Sequence, residues 1–202
     1  MIGVVYVAFG QNAIRCAGYS IASLRRFHDW PITVLTDGRI KAPGVEHIGF
    51  DEPMWGARWA KLNINNSIRY DSYLYLDADT RVNGDLSAGW EILADGWDAA
   101  MSFSSQQGDR CLWHIDGEER AITYEELGNP LPLAMQGGMM FANRERVDGL
   151  FRCWQQEWYR YRTYDQAALL RALHRNPVRL WVLGRDWNGG ALVTHQFGRA
   201  RA

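Results

Sequence analysis

Residues 2–38 read IGVVYVAFGQNAIRCAGYSIASLRRFHDWPITVLTDG, and their hydrophobic pattern changes twice along the way. Ile2 to Phe9 is a nearly continuous β-branched and aromatic run, which is typical of a strand buried on both faces. Apolar residues then recur at steps of three and four, which predicts an amphipathic helix. Ile32 to Leu35 follows as a second buried strand. Strand, helix and strand in such quick succession predict a βαβ unit and therefore a parallel sheet.

The rest of the chain continues this alternation of strands and helices. Further strands are predicted at Tyr73 to Leu76, Ala99 to Phe103, Gly138 to Ala142 and Val178 to Leu183. Further helices are predicted at Trp55 to Ile68, Leu86 to Leu93, Val147 to Tyr159 and Tyr164 to Leu173. Residues 104–134 are polar and broken by Gly and Pro, so they receive no assignment, and the segment from Gly184 is predicted to be a loop. The absence of repeats and linkers indicates a single α/β domain with a mostly parallel central sheet flanked by helices.

The composition excludes several classes of protein. The 202 residues include 22 Lys and Arg against 23 Asp and Glu, so the formal net charge is −1 and general nucleic-acid binding is not expected. Cys16, Cys111 and Cys153 are odd in number and far apart, which argues against a disulfide framework or a zinc knuckle and suits a reducing compartment. No apolar run approaches the roughly 20 residues needed for a transmembrane segment. A cytoplasmic location is therefore expected.

Asp77 and Asp79 directly follow the strand YLYL and are the strongest chemical signal in the sequence. Residues at i and i+2 of a strand face the same side, and two neighbouring carboxylates repel each other unless a cation lies between them. Mg²⁺ or Mn²⁺ prefers such oxygen ligands and often shares its coordination with substrate phosphates. An ordinary acidic turn is the simpler interpretation. A third possibility is the aspartyl phosphatase signature Asp-x-Asp-x-Thr, although Thr80 stands one position too early for it.

The predicted topology gives these carboxylates a context. In open sheets of parallel strands, ligands bind outside the carboxyl ends of the strands. Phe9-Gly10, Asp37-Gly38 and Asp77-Ala78-Asp79 are three such ends. We expect them to converge on one crevice.

Five segments in order carry a resemblance to a known family. They are YVAFGQNAIRCAGYSIASLRR (6–26), WGARWAKLNINNSIRYDSYLYLDADTRV (55–82), MQGGMMFANRE (135–145), YDQAALLRAL (164–173) and HQFGRAR (195–201). Together they resemble GT-A type glycosyltransferases of the glycogenin and lipopolysaccharide galactosyltransferase kind. The resemblance implies one GT-A domain over residues 1–202, with a nucleotide-binding half (1–82) and a half for the acceptor and the sugar (83–202) that ends in a metal-binding tail.

The resemblance also implies an activity. The reaction would be transfer of a sugar from a nucleotide diphosphate sugar, a UDP-sugar above all, to a glycan, protein or small-molecule acceptor. Relatives of this kind use Mn²⁺ or Mg²⁺ and retain the anomeric configuration. Two other functions stay open from the residues alone. One is a metal-dependent phosphatase or nucleotidyltransferase that uses Asp77 and Asp79, and the other is a non-catalytic module that binds nucleotide-sugars.

Matching the family's segments residue by residue assigns roles. Asp77, Asp79 and His195 are implied as metal ligands, and Asp165 and Gln136 as catalytic residues. Three parts of the donor have further implied contacts. The nucleoside would meet Ala8 and Phe9, with Asp37 at the base or ribose and Asp77 at the ribose or a metal-bound water. Arg58 and Lys61 would lie near the metal carboxylates, Gly198 and Arg201 at the diphosphate, and Gly137, Gly138 and Gln166 around the sugar. Arg201 stands where the family has Lys, and its planar guanidinium can hold phosphate through two hydrogen bonds.

Several of these residues also have purely structural interpretations. Asp165 begins a predicted helix and can serve as its cap. Gly137-Gly138 can be a turn before a strand, and His195 can be a histidine without a task. In residues 104–134, which belong to the acceptor side in the family, His114 or Glu118 could act as a base, but a plain loop histidine is the more common case.

Overall fold

The computed structural model describes residues 1–50, 56–128 and 132–196. Its α-helices are α1 (Gly10–Leu24), α2 (Gly56–Leu62), α3 (Ile64–Ser67), α4 (Ala88–Ala94), α5 (Gly117–Leu127), α6 (Asp148–Tyr159) and α7 (Asp165–Arg175). Its strands are β1 (Ile2–Ala8), β2 (Ile32–Thr36), β3 (Val45–Gly49), β4 (Ser72–Asp77), β5 (Thr80–Val82), β6 (Ala99–Phe103), β7 (Met135–Asn143), β8 (Leu180–Leu183) and β9 (Val193–His195).

Seven strands form one central sheet in the order β3-β2-β1-β4-β7-β6-β8. β7 runs antiparallel to both of its neighbours, and the remaining pairs are parallel. β5 and β9 pair in a separate two-stranded sheet. The predicted class, an α/β domain with a mostly parallel sheet flanked by helices, is confirmed.

Helices cover both faces of the sheet, which explains why β1 reads as a continuous apolar run. Val5 and Val7 face a core shared with α2, α3, α6 and α7. Val4 and Tyr6 face the other core, which α1 and α4 complete. Because both sides of the strand are dry, every position needs an apolar side chain.

Four features differ from the elements predicted by the pattern. The single helix expected over 55–68 is two helices, α2 and α3, that join at Asn63; the expected start, Trp55, lies outside the described residues. β3 is an additional edge strand, so the YLYL strand is fourth along the chain although it pairs with β1. β5 and β9 are three residues each, too short to leave a periodic signal.

The fourth feature is α5, which lies in the unassigned segment 104–134. Its buried residues are Glu119 and Thr123, so its inward face has no apolar pattern to detect. Both side chains bind the buried guanidinium of Arg171 on α7, with Nη2 3.1 Å from Glu119 Oε1 and Nη1 2.6 Å from Thr123 Oγ1. A helix that docks through a salt bridge cannot be found from hydrophobic periodicity.

Within the described residues, the helices are all too short or too polar to traverse a lipid bilayer.

Candidate metal and donor site

The candidate site lies where the carboxyl end of β4 meets the amino end of β7. Alternation along β4 places Tyr73, Tyr75 and Asp77 on one face of the sheet. β7 runs antiparallel to β4 with Leu76 opposite Met139, so Gly138 comes next to Asp77. The β5–β9 pair then sets Thr80 opposite His195, which carries the imidazole to the two carboxylates.

Asp77, Asp79 and His195 form a compact cluster. One ligand atom from each lies within 4.8 Å of the others. His195 Nε2 is 3.1 Å from Asp79 Oδ1 and 3.5 Å from Asp77 Oδ2. Two carboxylates and an imidazole suit Mn²⁺ and similar divalent ions, so the side chains present fit the metal that the resemblance implies.

Gly138 is what allows the cluster to be this compact. A Cβ at this position would lie 2.2 Å from His195 Cε1 and 2.7 Å from Asp77 Oδ2. Any other residue would push the imidazole and the carboxylate apart. The glycine pair is therefore more than a turn, because the close approach of β7 to the cluster requires Gly138.

Two neighbours orient the cluster, and sequence reasoning missed both. The Tyr75 hydroxyl donates a hydrogen bond to Asp77 Oδ1. Asn188 Oδ1 lies 2.8 Å from His195 Nδ1. When Nδ1–H donates to this amide oxygen, Nε2 keeps its lone pair toward the carboxylates, which is the usual arrangement around a metal-binding histidine.

Lys61 and Asp165 form a largely buried ion pair beside the cluster. Lys61 Nζ lies 2.8 Å from Asp165 Oδ2 and 3.6 Å from Asp77 Oδ1. Burial lowers the pKa of Lys61, but Asp165 and Asp77 outweigh it and hold that pKa above its ordinary value. Burial likewise raises the pKa of Asp165, yet Lys61 brings that pKa below its usual range. Both groups are therefore charged at neutral pH.

Asp165 is the first residue of α7, and Tyr164 precedes it as the residue at the cap position. Arg58 Nε lies 3.9 Å from Asp165 Oδ1, and the Arg58 guanidinium lies over the Tyr164 ring, 5.1 Å from its centroid. Trp154 donates its indole N–H to the Asp165 carbonyl, 2.8 Å away. The Asp165 carboxylate thus lies between two cations, Lys61 and Arg58.

These groups surround a cavity of about 620 Å³, a volume typical of small-molecule sites. Its lining residues are Lys61, Asp77, Asp79, Ser104, Ser105, Gln106, His114, Gln136, Gly137, Asp165, Gln166, His195 and Gln196. Eight of the residues implied by the resemblance belong to this set: Lys61, Asp77, Asp79, Gln136, Gly137, Asp165, Gln166 and His195. Gly138 and Arg58 flank it.

Other implied residues lie elsewhere. Ala8 is the last residue of β1, and Phe9 and Asp37 directly follow β1 and β2 at the same edge of the sheet. None of the three is among the described residues that line the cavity. The Gly10 amide donates to Asp37 Oδ1, 2.9 Å away, so two of the three expected strand ends do meet. Gly198 and Arg201 lie outside the described residues.

The lining also contains residues that the sequence analysis left aside, namely Ser104, Ser105, Gln106 and Gln196. His114 lines the cavity too, with Nδ1 2.9 Å from Gln106 Oε1. Burial lowers the pKa of His114, and Asp165 partly opposes this effect. Their place in the sequence could have indicated this. Residues 104–106 directly follow β6, which runs in the same direction as β4, so they lie at the same edge of the sheet as Asp77.

Thr80 gives no support to the phosphatase interpretation. Its side chain is buried, donates to the Asp77 carbonyl at 2.8 Å, and lies 2.9 Å from the Ser20 hydroxyl. The hydroxyl thus faces the interior between α1 and β5 and not the cavity.

Known proteins resemble this chain in structure but not detectably in sequence. The chain matches no protein-family model, and no curated protein matches it significantly in sequence. Among solved structures, the galactosyltransferase LgtC in complex with donor and acceptor sugar analogues superposes with a TM-score of 0.65 at 18% identity, over 93% of this chain and 75% of that one.

Two further structures are similar. Mouse xyloside xylosyltransferase 1 in its apo form gives a TM-score of 0.66 at 12% identity over 100% of both chains. The bifunctional glycosyltransferase WbbM gives 0.66 at 18% identity, over 93% of this chain and 39% of that one. At such identities the likeness establishes the fold. The chain has the GT-A fold, as the five segments of sequence predicted.

Proposed function

We propose that the protein is a metal-dependent glycosyltransferase that moves a sugar from a nucleotide diphosphate sugar, in particular a UDP-sugar, to an acceptor. The convergence of Asp77, Asp79 and His195 at a cavity that also holds the Lys61–Asp165 pair supports this function most directly. The fold agrees, since each of the three similar structures is named as a glycosyltransferase of some kind.

Asp77, Asp79 and His195 would hold the ion, which we propose to be Mn²⁺ or Mg²⁺. Such an ion supplies positive charge next to the diphosphate as negative charge develops on the leaving group. Lys61 adds a second positive charge from the protein side, 3.6 Å from Asp77 Oδ1. Gly198 and Arg201 are proposed to bind the same diphosphate.

The other cavity residues are proposed to surround the sugar. Asp165 accepts from Lys61 and presents its other oxygen toward Arg58, so it is fixed in place to accept a sugar hydroxyl. Gln136, Gly137, Gly138 and Gln166 complete this wall. Ala8, Phe9 and Asp37, at the ends of β1 and β2, are proposed to meet the nucleoside.

Retention of anomeric configuration is part of the proposal. An inverting enzyme needs a general base for the acceptor hydroxyl, and Asp165 is a weak one because Lys61 holds its pKa below the usual range. Proton NMR of the product reports the configuration directly. An inverted product would contradict retention and require another base, for which His114 in the cavity lining is the candidate.

The central test is Asp79→Asn. We expect the Mn²⁺-dependent release of sugar from a panel of UDP-sugars to fall by about 100-fold or more, since a ligand oxygen with full charge is lost. Asp95→Asn is the matched control, because Asp95 is exposed beyond α4. Circular dichroism verifies that both variants fold. Turnover in Asp79→Asn equal to that of the control would disprove the metal assignment.

The proposed place of the reaction is the cytoplasm. Cys16, Cys111 and Cys153 are all free thiols, and two of them are buried. Thiols in this state are typical of a reducing compartment.

A further inference from the structure

A second cavity of about 470 Å³ lies beside the first. The two share Ser104 and Ser105 as a common wall. The other residues that matter here are Phe103 and Val182 from the ends of β6 and β8, and Arg185 and Asn188 from the loop after β8. A molecule in the second cavity would therefore lie directly beside the donor cavity, at Ser104 and Ser105.

Asn188 connects the second cavity to the metal cluster. The residue is only 6% exposed, and its Oδ1 lies 2.8 Å from His195 Nδ1. Its Nδ2 atom is buried and has no hydrogen-bond partner among residues 1–50, 56–128 and 132–196. A buried amide N–H is costly to leave unpaired, so this donor is available to a ligand oxygen in the cavity.

Arg185 supplies the charge of the second cavity. It is exposed, forms no ion pair within the described part of the chain, and is the one charged residue among the described lining residues. Phe103 and Val182 are 40% and 42% exposed, which gives the same cavity an apolar side. An apolar face suits the CH surface of a pyranose ring, and a guanidinium beside an amide donor suits a carboxylate or a phosphate.

We propose that the second cavity binds an acceptor sugar bearing a carboxylate or phosphate, which Arg185 and Asn188 hold. Asn188 is then a positioning residue, because it links the binding of this sugar to the position of His195. This inference rests on the proposed function, because it identifies the acceptor of the same site. Asn188 uses both ends of one amide. Its oxygen fixes the imidazole, and its nitrogen donates to the acceptor's anionic group.

Coupling through one side chain must work in both directions. A sugar anion that holds Asn188 Nδ2 also holds Oδ1 against His195, so it should strengthen Mn²⁺ binding, and Mn²⁺ should strengthen sugar binding by the same factor. We expect a factor of about five or more, the lower end of typical coupling between sites.

The test measures binding to the full chain by calorimetry, without turnover. The probes are Mn²⁺ alone, and glucuronate, glucose 6-phosphate and neutral glucose with and without Mn²⁺. Wild type should prefer at least one of the two anionic sugars to glucose by about tenfold or more, and the two anions distinguish a carboxylate from a phosphate partner. Equal binding of all three sugars would overturn the anionic class.

Two variants at one position separate the two ends of the amide. Asn188→Ala removes both, so Mn²⁺ affinity should fall about 10- to 100-fold together with sugar binding. Asn188→Asp keeps an oxygen for His195 and replaces the donor by a negative charge. Because the hydrogen-bond acceptor for His195 is retained, the Mn²⁺ affinity of Asn188→Asp should stay within about threefold of wild type. Binding of the anionic sugar should be lost. Equal Mn²⁺ affinities in the two folded variants would overturn the positioning role.

Arg185→Gln should abolish the preference for anionic sugars and leave Mn²⁺ binding unchanged. Arg69→Gln is the matched control, since Arg69 is an exposed residue that precedes β4 at the opposite edge of the sheet. An unchanged preference in Arg185→Gln would overturn the assignment. If UDP-sugars are not turned over while sugar binding and its coupling to Mn²⁺ are found, the proposed function fails and the binding site stands.

Discussion

Tyr75 and Tyr73 lie on the same face of β4 and are both buried, but only the first touches the metal cluster. Tyr75 donates to Asp77 Oδ1, while Tyr73 donates to Asn65 Oδ1 at 3.4 Å. We expect Tyr75→Phe to weaken Mn²⁺ binding about tenfold, because the carboxylate loses the partner that orients it. Titration of Mn²⁺ followed by electron paramagnetic resonance measures this. Tyr73→Phe should bind Mn²⁺ like wild type, and equal losses in both variants would contradict the prediction.

Lys61 and Lys41 are the two lysines of the chain and differ completely in environment. Lys61 is buried between Asp165 and Asp77, whereas Lys41 is exposed. Lys61→Met should destabilise the fold by about 2 kcal/mol, since it leaves two partly buried carboxylates without their cation. Urea unfolding measures the change, and Lys41→Met should stay within about 0.5 kcal/mol of wild type. Similar unfolding midpoints for the two variants would disprove the role of the pair.

At the residue scale the sequence predicted part of the site. Asp77 and Asp79 could be identified from their position after a buried strand, and His195 from the resemblance. Tyr75 and Asn188 could not, because their role depends on which atoms meet across the fold. From the sequence, a tyrosine in a buried strand is interpreted as a packing residue, and an asparagine in a loop is interpreted as a turn residue.

At the level of elements, a buried network of charges joins α5, α6 and α7 in addition to their apolar contacts. Arg171 on α7 is 1% exposed and lies 2.9 Å from Glu157 of α6 and 3.1 Å from Glu119 of α5. Because α7 also begins with Asp165, this network fixes the helix that carries one wall of the cavity. Hydrophobic periodicity identified α6 and α7 but not α5, whose buried residues, Glu119 and Thr123, are both polar.

Glu126 gives this helical assembly a measurable pH dependence. Hydrogen bonds from Arg160, with further help from Arg175, lower the pKa of Glu126 from 4.5 to about 2, against a smaller opposing effect of burial. A folded-state pKa below the unfolded one means that the stabilisation is complete above about pH 4.5 and is lost as the pH falls toward 2. Solvent screening limits it to about 1 kcal/mol.

Glu126→Gln should therefore be less stable than wild type at pH 7 and converge with it near pH 2. Urea unfolding at a series of pH values measures the difference. Glu125→Gln, one position earlier on α5, is the control and should run parallel to wild type. A constant difference between Glu126→Gln and wild type from pH 7 to pH 2 would contradict the assignment.

For the whole molecule, the order of strands explains why distant segments meet. β1, β2 and β4 end at one edge of the sheet, and β7 starts there because it runs in the opposite direction. The sequence predicted the parallel part through its βαβ pattern. It could not predict the reversal at β7, since an apolar strand reads the same in either direction, and it is this reversal that brings Gly138 to Asp77.

A ligand that binds only the folded state should raise the melting temperature. We expect Mn²⁺ with UDP, at about 100 times the dissociation constant, to raise it by about 5 °C or more. Addition of EDTA should reverse the shift. Differential scanning fluorimetry measures both, with Asp79→Asn as the control that should not respond. An equal shift in that variant would place the ligand elsewhere.

The β5–β9 pair is only three residues long, yet it delivers His195. An ion bound by both His195 and Asp77 would link this two-stranded sheet to the central sheet. The loop of residues 184–192 leads into β9, so a bound ion would restrain the end of the loop that is nearest to His195. We therefore expect cleavage of this loop by proteases to slow when divalent ions are supplied and to speed up when they are removed, so that the cleavage rate reports whether the metal site is occupied.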